Sequence, residues 1–346
     1  MCILRINLKE STMLILGIES SCDETGLALY SEGEGLIAHM VNSQVELFTE
    51  YGGVIPEIAA RDHSVKIINI LKTLLKKADK NLHDVNLVAY TAGPGLIGSL
   101  MVGETVAKTI SNVLDIELLP INHLEGHILA PGLEDVNLET PYLCLLVSGG
   151  HTQIIECSEY GSYKILGETV DDACGEAFDK VGKLLNLDYP GGPKVSKLAV
   201  GGDPTRFNFP RALMKDRNLN FSFSGLKTAV LYALENLEEK DYPDVAASFQ
   251  EAVVDVLVKK LAYAIEQTGI KKLVCSGGVA ANKLLRERLT DMGKKSGLEV
   301  SYPKMEFCTD NAAMIAYAGF IRKKYNLKGY PTKYARPRWP LGELYD

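Results

Sequence analysis

The chain has 346 residues, of which 46% are hydrophobic and 23% charged, and its formal net charge is −7 at pH 7. The length predicts two domains or two related lobes, and the negative charge excludes a general cationic surface for nucleic acid, so such contact needs local basic patches or partner subunits. The seven cysteines are scattered and form no CxxC pair, which excludes a disulfide framework or zinc ribbon and favours a reducing compartment.

The N-terminal region is expected to begin with an extension. Residues 1–12 precede Met13, where the organised sequence begins. No apolar run reaches membrane-spanning length, and the N-terminus lacks the apolar region and the cleavage site of a signal peptide. We therefore expect a cytoplasmic protein that does not contact a membrane.

A strand–turn–strand pattern occurs twice. Residues 13–31, MLILGIESSCDETGLALYS, predict a strand, a small acidic turn and a second strand. Residues 142–158, YLCLLVSGGHTQIIECS, repeat this pattern with a glycine-containing turn. The two copies predict an internal duplication in which each copy opens one lobe.

Strands alternate with helices in the rest of the pattern. Residues 84–121 and residues 270–303 each predict a strand, a glycine turn, a helix and a strand. This alternation is typical of an α/β protein. Residues 307–325 predict a helix with Asp310 at or beside its N-cap, and the proline-rich tail 329–346 is expected to be extended.

Three turns rich in glycine and serine follow apolar strands, in GIESSCDETG, LLVSGGHT and LVCSGGVAAN. Small residues allow main-chain N–H groups to approach phosphate oxygens, although each turn alone is more often an ordinary tight turn. Their order, two hairpin turns and then a strand–turn–helix, is that of an actin-like ATPase fold. Neither GxxxxGK[ST] nor GxGxxG occurs, which disfavours a P-loop or a Rossmann site.

His123 and His127 stand four residues apart in INHLEGH, so on a helix both imidazoles can reach one metal ion. Hydrogen-bonded histidines on an ordinary helix are an equal alternative. A zinc protease would carry HExxH, whereas Glu125 lies about 200° around the helix from His123. Asp310 is our choice for a third ligand of a 2-His-1-carboxylate site, and simple helix capping is its alternative.

Further polar residues lie in the second half of the chain. Asp179, on a predicted helix, could bind a sugar hydroxyl or lie on a solvated face, and Gly191 and Gly192 are expected in a turn. Asn282 follows the third glycine turn and could meet a base or ribose, or cap a helix. Residues 205–230 and the C-terminal tail interleave basic and aromatic residues, which suits unpaired RNA bases unless the rings belong to the core.

A series of motifs from GIESSCDETG through YGGVIPEIAARDH, INHLEGH, LLVSGGHTQ, GEAFDK, YPGGP and FSFSGLKTAV to CTDNAAMIA resembles the TsaD family, also called Gcp. The tail RPRWPL and EIAARDH resemble its bacterial or organellar branch. The resemblance implies an actin/Hsp70-like (ASKHA) duplicated two-lobe fold. We expect a first lobe at 13–141 with the histidine pair, a second lobe at 142–310 with the SGG loops, and a C-terminal helix and tail at 311–346 returning to the first lobe.

The resemblance implies a metal-dependent acyltransferase. Members transfer a threonylcarbamoyl group from threonylcarbamoyl-AMP to N6 of adenosine 37 in tRNAs that read codons starting with A, which forms t6A. The family's metal ligands fall on His123, His127 and Asp310, and Fe²⁺ is the usual assignment, with Zn²⁺ as its rival. An adenine nucleotide, threonylcarbamoyl-AMP or ATP, is the expected ligand.

The resemblance also implies substrate contacts and partners. The family's substrate contacts fall on Leu146, Val147, Ser148, Gly149, Gly150, Asp179, Gly192 and Asn282. The expected partners are tRNA, a shorter homologue called TsaB and an ATPase called TsaE. No catalytic residue is assigned, although Asp23, Glu24 and Lys227 are candidate general bases. A metalloprotease (O-sialoglycoprotein endopeptidase) and an actin-like ATPase without tRNA activity stay open as alternatives.

Overall fold

The computed structural model describes residues 13–135, 138–215, 217–235, 237–327 and 334–344. The predicted extension at residues 1–12 lies outside the described residues. Two five-stranded mixed sheets and the helices around them make up the described chain, so the predicted α/β class is confirmed.

The first sheet comprises β1 (Leu14–Glu19), β2 (Glu24–Ser31), β3 (Gly35–Ser43), β4 (Leu87–Gly93) and β5 (Glu117–Asn122). Its strand order is β3-β2-β1-β4-β5. The pairs β1–β2 and β2–β3 are antiparallel, and β1–β4 and β4–β5 are parallel. Every residue of β1 and β4 is buried because helices cover both faces of these central strands.

Four helices accompany the first sheet: α1 (Val45–Thr49), α2 (Pro56–Lys77), α3 (Ile97–Leu114) and α4 (His123–Leu129). Helix α2 begins with a proline, whose fixed φ suits the first helical position. Helix α3 packs on β4 and against α2. Short 3₁₀ turns occur at 82–84 and 130–133.

The second sheet comprises β6 (Tyr142–Val147), β7 (Thr152–Glu159), β8 (Ser162–Glu168), β9 (Lys272–Ser276) and β10 (Glu299–Ser301). Its order, β8-β7-β6-β9-β10, repeats that of the first sheet. The pairs β6–β7 and β7–β8 are antiparallel, and β6–β9 and β9–β10 are parallel. The predicted duplication is therefore confirmed. Each copy also contains a third antiparallel strand, β3 or β8, that the sequence patterns did not reveal.

Helices α5 (Cys174–Leu184), α6 (Gly191–Leu198), α7 (Ser224–Leu234), α8 (Tyr242–Thr268) and α9 (Lys283–Ser296) accompany the second sheet. Their apolar faces form one core with β6 and β9. The prediction that Gly191 and Gly192 lie in a turn is wrong, because both residues open α6.

Helix α10 (Ala312–Lys324) returns to the first sheet and packs on β1, β2 and β4. Gly17 permits this close approach, since a Cβ there would lie 2.4 Å from the carbonyl oxygen of Ala312. In the tail, Arg336 N donates to Ala92 O at 2.7 Å. The described tail, 334–344, has no helix or strand before a 3₁₀ turn at 341–343, and residues 328–333 lie outside the described residues.

Among the described residues, none of the helices combines the length and the apolar character that a bilayer crossing requires.

Candidate metal centre and nucleotide loops

Three side chains from distant parts of the chain converge on one point. The ligand atoms of His123, His127 and Asp310 all lie within 4.8 Å of one another. Oδ1 of Asp310 is 3.0 Å from Nε2 of His127 and 3.4 Å from Nε2 of His123. Two imidazole nitrogens and one carboxylate oxygen form a 2-His-1-carboxylate donor set, which suits Fe²⁺ or Zn²⁺. The donor set therefore fits the divalent ion that the sequence predicts.

The histidines are placed by the junction of β5 and α4. Asn122 ends β5 and caps α4, because its Oδ1 accepts from the amides of Leu124 (2.9 Å) and Glu125 (3.4 Å). Its Nδ2 donates to the carbonyl oxygen of Trp339 in the tail at 3.0 Å. The predicted helix thus begins at His123 itself, and both imidazoles lie on one face of its first two turns.

Asp310 precedes α10 by two residues. The N-cap of α10 is Asn311, whose Oδ1 accepts from Met314 N at 3.0 Å. Asp310 therefore lies just before the cap, and its carboxylate is left to meet the histidines. Gly126 allows α4 and α10 to approach, since a Cβ there would lie 2.9 Å from Cδ1 of Ile315.

Opposite charges dominate the electrostatics of this cluster. Burial alone would raise the pKa of Asp310, but the charge on His123 and hydrogen bonds from both histidines hold that pKa well below its usual range. Burial alone would lower the pKa of His123, but the carboxylates of Asp310 and Glu19 hold it well above its usual range. A cluster with one buried carboxylate on each side of His123 is suited to hold a cation.

Glu125, the glutamate between the two histidines, belongs to a separate buried network. Its carboxylate accepts from Arg322 Nη1 (3.0 and 3.3 Å) and from the hydroxyl of Tyr163 (2.9 Å). Glu125 is fully buried, and burial raises its pKa although Arg322 and Tyr163 oppose that shift. The side chain thus joins α4 to α10 and β8, on the side of α4 away from the histidines.

The first turn, between β1 and β2, is held by α2 and α3. Ser20 Oγ donates to the carbonyl oxygen of Ser99 at 2.9 Å. The ring of the buried His63 donates from Nε2 to the Cys22 carbonyl (3.0 Å), so its Nδ1 accepts from Thr25 Oγ1 (2.7 Å). These contacts fix the main chain of the turn from both ends.

Two candidate general bases lie in the first turn. Burial, and then the charges on Asp310 and Asp23, raise the pKa of Glu24 well above its usual range. A carboxyl with a raised pKa can take a proton more readily than an ordinary carboxylate. The third candidate, Lys227, is exposed on α7.

The second turn, residues 148–151, is open. Ser148 and His151 close it, because Ser148 N donates to His151 O (2.8 Å) and His151 N donates to Ser148 Oγ (3.0 Å). Gly149 and Gly150 are exposed, and a Cβ at either would meet no atom within 4 Å. The main chain of this turn therefore has room for a phosphate.

The second turn adjoins the third, because a Cβ at Gly277 would lie 2.4 Å from the carbonyl oxygen of Val147, the residue before the second turn. Burial, and then the charges on His123 and His127, lower the pKa of His151 to about 4. The third turn also contacts α4, the helix that carries His123 and His127, because the buried Ser276 Oγ donates to the carbonyl oxygen of His127 at 2.6 Å. Both glycine turns of the second lobe therefore lie beside the metal centre.

The remaining predicted substrate residues lie around the same end of the second sheet. The side chains of Leu146 and Val147 are fully buried, so only their main chain is available to a ligand. Asp179 Oδ1 accepts from Gly191 N at 2.7 Å and Asp179 also accepts from the amide of Gly192. Burial raises the pKa of Asp179 in spite of these hydrogen bonds.

Asn282 serves as a helix cap. Its Oδ1 accepts from Leu285 N (3.0 Å), and its Nδ2 donates to Ser196 Oγ (2.9 Å) and Gln250 Oε1 (2.8 Å). The capping alternative is thus correct, and the side chain also links α9 to α6 and α8. Its contact with a nucleotide stays a prediction.

The basic and aromatic segments are largely structural. Four of their rings are buried, namely Phe209, Phe221, Phe223 and Trp339. The three arginines of residues 205–217 pair with acids: Arg206 with Asp241 and Asp244, Arg211 with Asp255 and Arg217 with Glu266. For these four rings the core alternative is correct, so they are not available to stack on RNA bases.

The sequence patterns missed three residues at the site. Glu19 closes β1, and its carboxylate contacts His123 Nδ1 at 3.1 Å. An acidic residue at the carboxyl end of a fully apolar strand was a usable signal for it. Ser276 carries no comparable signal, because its importance depends on a hydrogen bond to α4 from the other sheet. His151 carries none either, because it depends on the charges of His123 and His127, which lie far from it in sequence.

The two repeated sheets, with the cluster of possible metal ligands and the glycine turns between them, define a two-lobe α/β protein. Solved structures show the same fold. HypF of T. kodakarensis has a TM-score of 0.63 at 15% identity, over 91% of this chain and 48% of that one. Full-length HypF in a phosphate- and nucleotide-bound form has a TM-score of 0.60 at 15% identity, over 90% of this chain and 46% of that one. The chain thus spans about half the length of these HypF chains.

Component A of the Acidaminococcus fermentans (R)-2-hydroxyglutaryl-CoA dehydratase is similar over nearly its whole length. It has a TM-score of 0.51 at 14% identity, over 88% of this chain and 96% of that one. At such identities the likeness concerns the fold alone, and it confirms the actin/Hsp70-like architecture.

The family follows from the sequence match. The family model described as "TsaD: tRNA N6-adenosine threonylcarbamoyltransferase" matches residues 35–317. The chain therefore belongs to the TsaD family, a family of transferases that act on tRNA. The matched range includes all three predicted metal ligands and the second and third glycine turns.

Proposed function

We propose that this protein transfers the threonylcarbamoyl group of threonylcarbamoyl-AMP to N6 of adenosine 37 in tRNAs that read codons starting with A, forming t6A. The observation that carries the proposal is the convergence of His123, His127 and Asp310. The third turn contacts α4 through Ser276, and the open turn at 148–151 adjoins the third turn. Fe²⁺ is the proposed ion and Zn²⁺ its rival, because a 2-His-1-carboxylate set is typical of non-haem iron.

The donor is a mixed carbamic–phosphoric anhydride whose leaving group is AMP. The exposed main chain of Gly149 and Gly150 would direct N–H groups at its phosphate. Asp179 would accept from a ribose hydroxyl, and Gly192 allows the nucleoside to approach the start of α6. Asn282, at the start of α9, would lie beside the base or ribose.

The acceptor is a weakly nucleophilic exocyclic amine. A bound divalent ion supplies charge stabilisation for the acyl or phosphate oxygens. Asp23 and Glu24 lie near enough to Asp310 for the charges on Asp310 and Asp23 to raise the pKa of Glu24, and either Asp23 or Glu24 could take the proton that the amine loses. The adenine must leave its stack in the anticodon loop to reach this point. We assign no catalytic residue.

The partners and the lobe boundaries are part of the proposal. We propose a bacterial-type member that works with TsaB-like and TsaE-like proteins. Helices α2 and α3 expose Val65, Ile68 and Met101 (67%, 44% and 54% exposed), which gives a partner of the same fold an apolar surface. We propose lobes at 13–141 and 142–310, with 311–346 belonging to the first, because α10 packs on the first sheet.

The alternatives receive less support. A metalloprotease would need a base beside the metal, whereas Glu125 contacts Arg322 and Tyr163. An ATPase of the same fold could use the glycine turns but has no use for the histidine pair. Replacing both histidines distinguishes this alternative, because a plain ATPase would keep its nucleotide-dependent activity.

The experiment that tests the proposed function is reconstitution. The purified chain is combined with TsaB- and TsaE-like partners, the enzyme that forms the AMP donor, threonine, bicarbonate, ATP and tRNA, and t6A is measured by nucleoside mass analysis. We expect t6A with the wild-type chain and with His83→Ala, an exposed histidine, and none with His123→Ala/His127→Ala. Full t6A formation by the double variant, or in the absence of the chain, would contradict the proposal.

A further inference from the structure

We propose that Glu19 is a positioning residue that fixes the ring of His123 for metal binding. In this arrangement Nδ1 of His123 donates its proton to the Glu19 carboxylate, and Nε2 presents its lone pair to the ion. The inference rests on the proposed metal site at His123, His127 and Asp310, and adds a fourth residue that does not itself touch the ion.

The carboxylate of Glu19 is fully buried and held from three sides. Its Oε2 lies 3.1 Å from His123 Nδ1 and accepts from Thr91 Oγ1 at 2.6 Å, and its Oε1 accepts from Ser21 N at 2.5 Å. These hydrogen bonds offset the cost of burying a charge and leave the carboxylate one orientation. The contacts therefore form a built support and not a chance approach.

The sheet register produces this arrangement. Strands β1 and β4 are parallel neighbours with Ile18 beside Tyr90, so the next residues, Glu19 and Thr91, come together at the carboxyl ends of the strands. Helix α4 begins at the end of β5, the next strand of the same edge, with His123. The carboxyl ends of these neighbouring strands therefore bring the Thr91 hydroxyl, the Glu19 carboxylate and the His123 imidazole next to one another.

The ring nitrogen has a second neighbour, Ser21 Oγ, at 3.2 Å from His123 Nδ1. An ionised carboxylate is the stronger acceptor of the two, so Glu19 decides the tautomer. A carboxylate that accepts the far N–H of a ligating histidine fixes its ring and raises its basicity.

The two histidines differ in this respect. Nδ1 of His127 is buried and has no hydrogen-bond partner among the described residues. Of the two histidines, His123 is thus the one whose ring nitrogen away from the ion bonds to a carboxylate. The buried charge of Glu19 therefore orients the ring of His123 and not that of His127. A substitution at Glu19 should act on the metal through His123.

The test measures binding of Co²⁺ to chelator-treated protein, by titration and by the visible absorption bands of the bound ion. We expect Glu19→Gln to weaken Co²⁺ binding about 10- to 100-fold and to shift these bands. Thr91→Val removes only the hydroxyl that holds Glu19, and should weaken binding several-fold. Glu104→Gln is the matched control, since Glu104 lies in the same lobe, is nearly buried and pairs with Lys108, and it should bind Co²⁺ as the wild type does.

The outcomes separate this inference from the proposed function. If the wild type binds Co²⁺ no better than the His123→Ala/His127→Ala variant does, the proposed metal site itself is contradicted. If the site binds Co²⁺ and Glu19→Gln keeps both the wild-type affinity and the wild-type bands, Glu19 has only a structural role and the inference is overturned. If Glu19→Gln does not fold, Thr91→Val decides, and wild-type affinity and bands in that variant overturn the inference.

Discussion

The two strand–turn–strand turns occupy equivalent positions in the two sheets, yet their surroundings differ. The first turn, between β1 and β2, is largely buried; the side chains of Ser20 and Ser21 bond to α3 and α4, and the Cys22 carbonyl accepts from His63 of α2. The second turn, between β6 and β7, exposes two glycines and is closed by Ser148 and His151 within itself. The same backbone plan thus supports two roles, a rigid acidic support beside the metal ligands and an accessible row of main-chain amides.

Glycines show the difference most clearly. A Cβ at Gly95 would lie 2.6 Å from the carbonyl oxygen of Ser21 in the first turn, whereas a Cβ at Gly149 would meet nothing within 4 Å. Glycine is needed beside the first turn because protein atoms fill the space, and in the second turn because a ligand would fill it. Substitutions on the two sides should therefore have separable effects on stability and on binding.

The largest expected effect comes from removing Asp310, the proposed carboxylate ligand of the metal ion. Asp310→Ala should weaken binding of the divalent ion by at least roughly a hundredfold, because a direct ligand counts for more than the outer-shell contacts whose loss costs up to that factor. The metal content of the purified variant and its t6A formation measure the loss. Asp291→Ala, at an exposed position on α9, is the control, and an Asp310→Ala protein with full metal content would contradict the account.

The second turn is tested by Gly149→Val. The added side chain should keep a phosphate from the main-chain amides and remove about 1.5–3 kcal/mol of binding, or roughly ten- to a hundredfold in Kd. Calorimetric titration with AMP and ATP measures this change. The thermal stability should be unchanged because the position is open, and Gly225→Val, at another exposed glycine with free space, should leave nucleotide binding intact. Unchanged affinity in Gly149→Val would remove the second turn from the proposed site.

The support around the first turn is tested by Gly95→Ala. The new Cβ meets main-chain atoms, so the turn must shift, and such overpacking costs about 1–3 kcal/mol of unfolding free energy. Denaturant unfolding of Gly95→Ala and Gly149→Ala gives the comparison directly. Equal losses of unfolding free energy in Gly95→Ala and Gly149→Ala would contradict the difference in packing between the two turns.

The smallest effect concerns Asp171, in the loop between β8 and α5, which contacts the start of α7. Burial opposes ionisation, but hydrogen bonds from Ser222, Phe223 and Ser224 together outweigh it and hold the pKa of Asp171 below its usual value. The stabilisation is therefore present above the unfolded pKa of about 3.9 and is lost as the pH falls through the lower folded pKa.

Asp171→Asn measures that contribution. Asp171 is exposed, so the difference in unfolding free energy should stay below about 1 kcal/mol near pH 7 and vanish in acid. Thermal unfolding of both proteins from pH 3 to pH 7 checks the direction. A difference that grows as the pH falls would contradict the assignment.

Local patterns carried much of this architecture. The apolar runs before each glycine turn predicted β1, β4, β6 and β9, and the spacing of His123 and His127 predicted a shared helix face. Strands β3 and β8 escaped because they are partly exposed edge strands with a mixed pattern. Gly191 and Gly192 were wrongly predicted to lie in a turn because glycine pairs usually mark turns. In the structure α6 starts at Gly191, and the carboxylate of Asp179 accepts hydrogen bonds from the main-chain amides of both glycines.

Contacts between distant segments could not be read from local patterns. Asp310 meets His127 across 183 positions, and Glu19 meets His123 across 104. The choice of Asp310 depended on the expected return of the last helix to the cleft. Glu19 required the parallel register of β1 and β4, which only the folded sheet supplies.

The central claim is that one divalent ion is bound by residues of α4 and the start of α10, next to the second turn. Anomalous diffraction at the absorption edge of iron, from crystals of the Fe²⁺-loaded protein grown without oxygen, tests this most directly. We predict one peak bounded by Nε2 of His123, Nε2 of His127 and the carboxylate of Asp310, with Glu19 on the far side of the His123 ring. A peak at any other position, or those three side chains turned apart with no peak between them, would contradict the account.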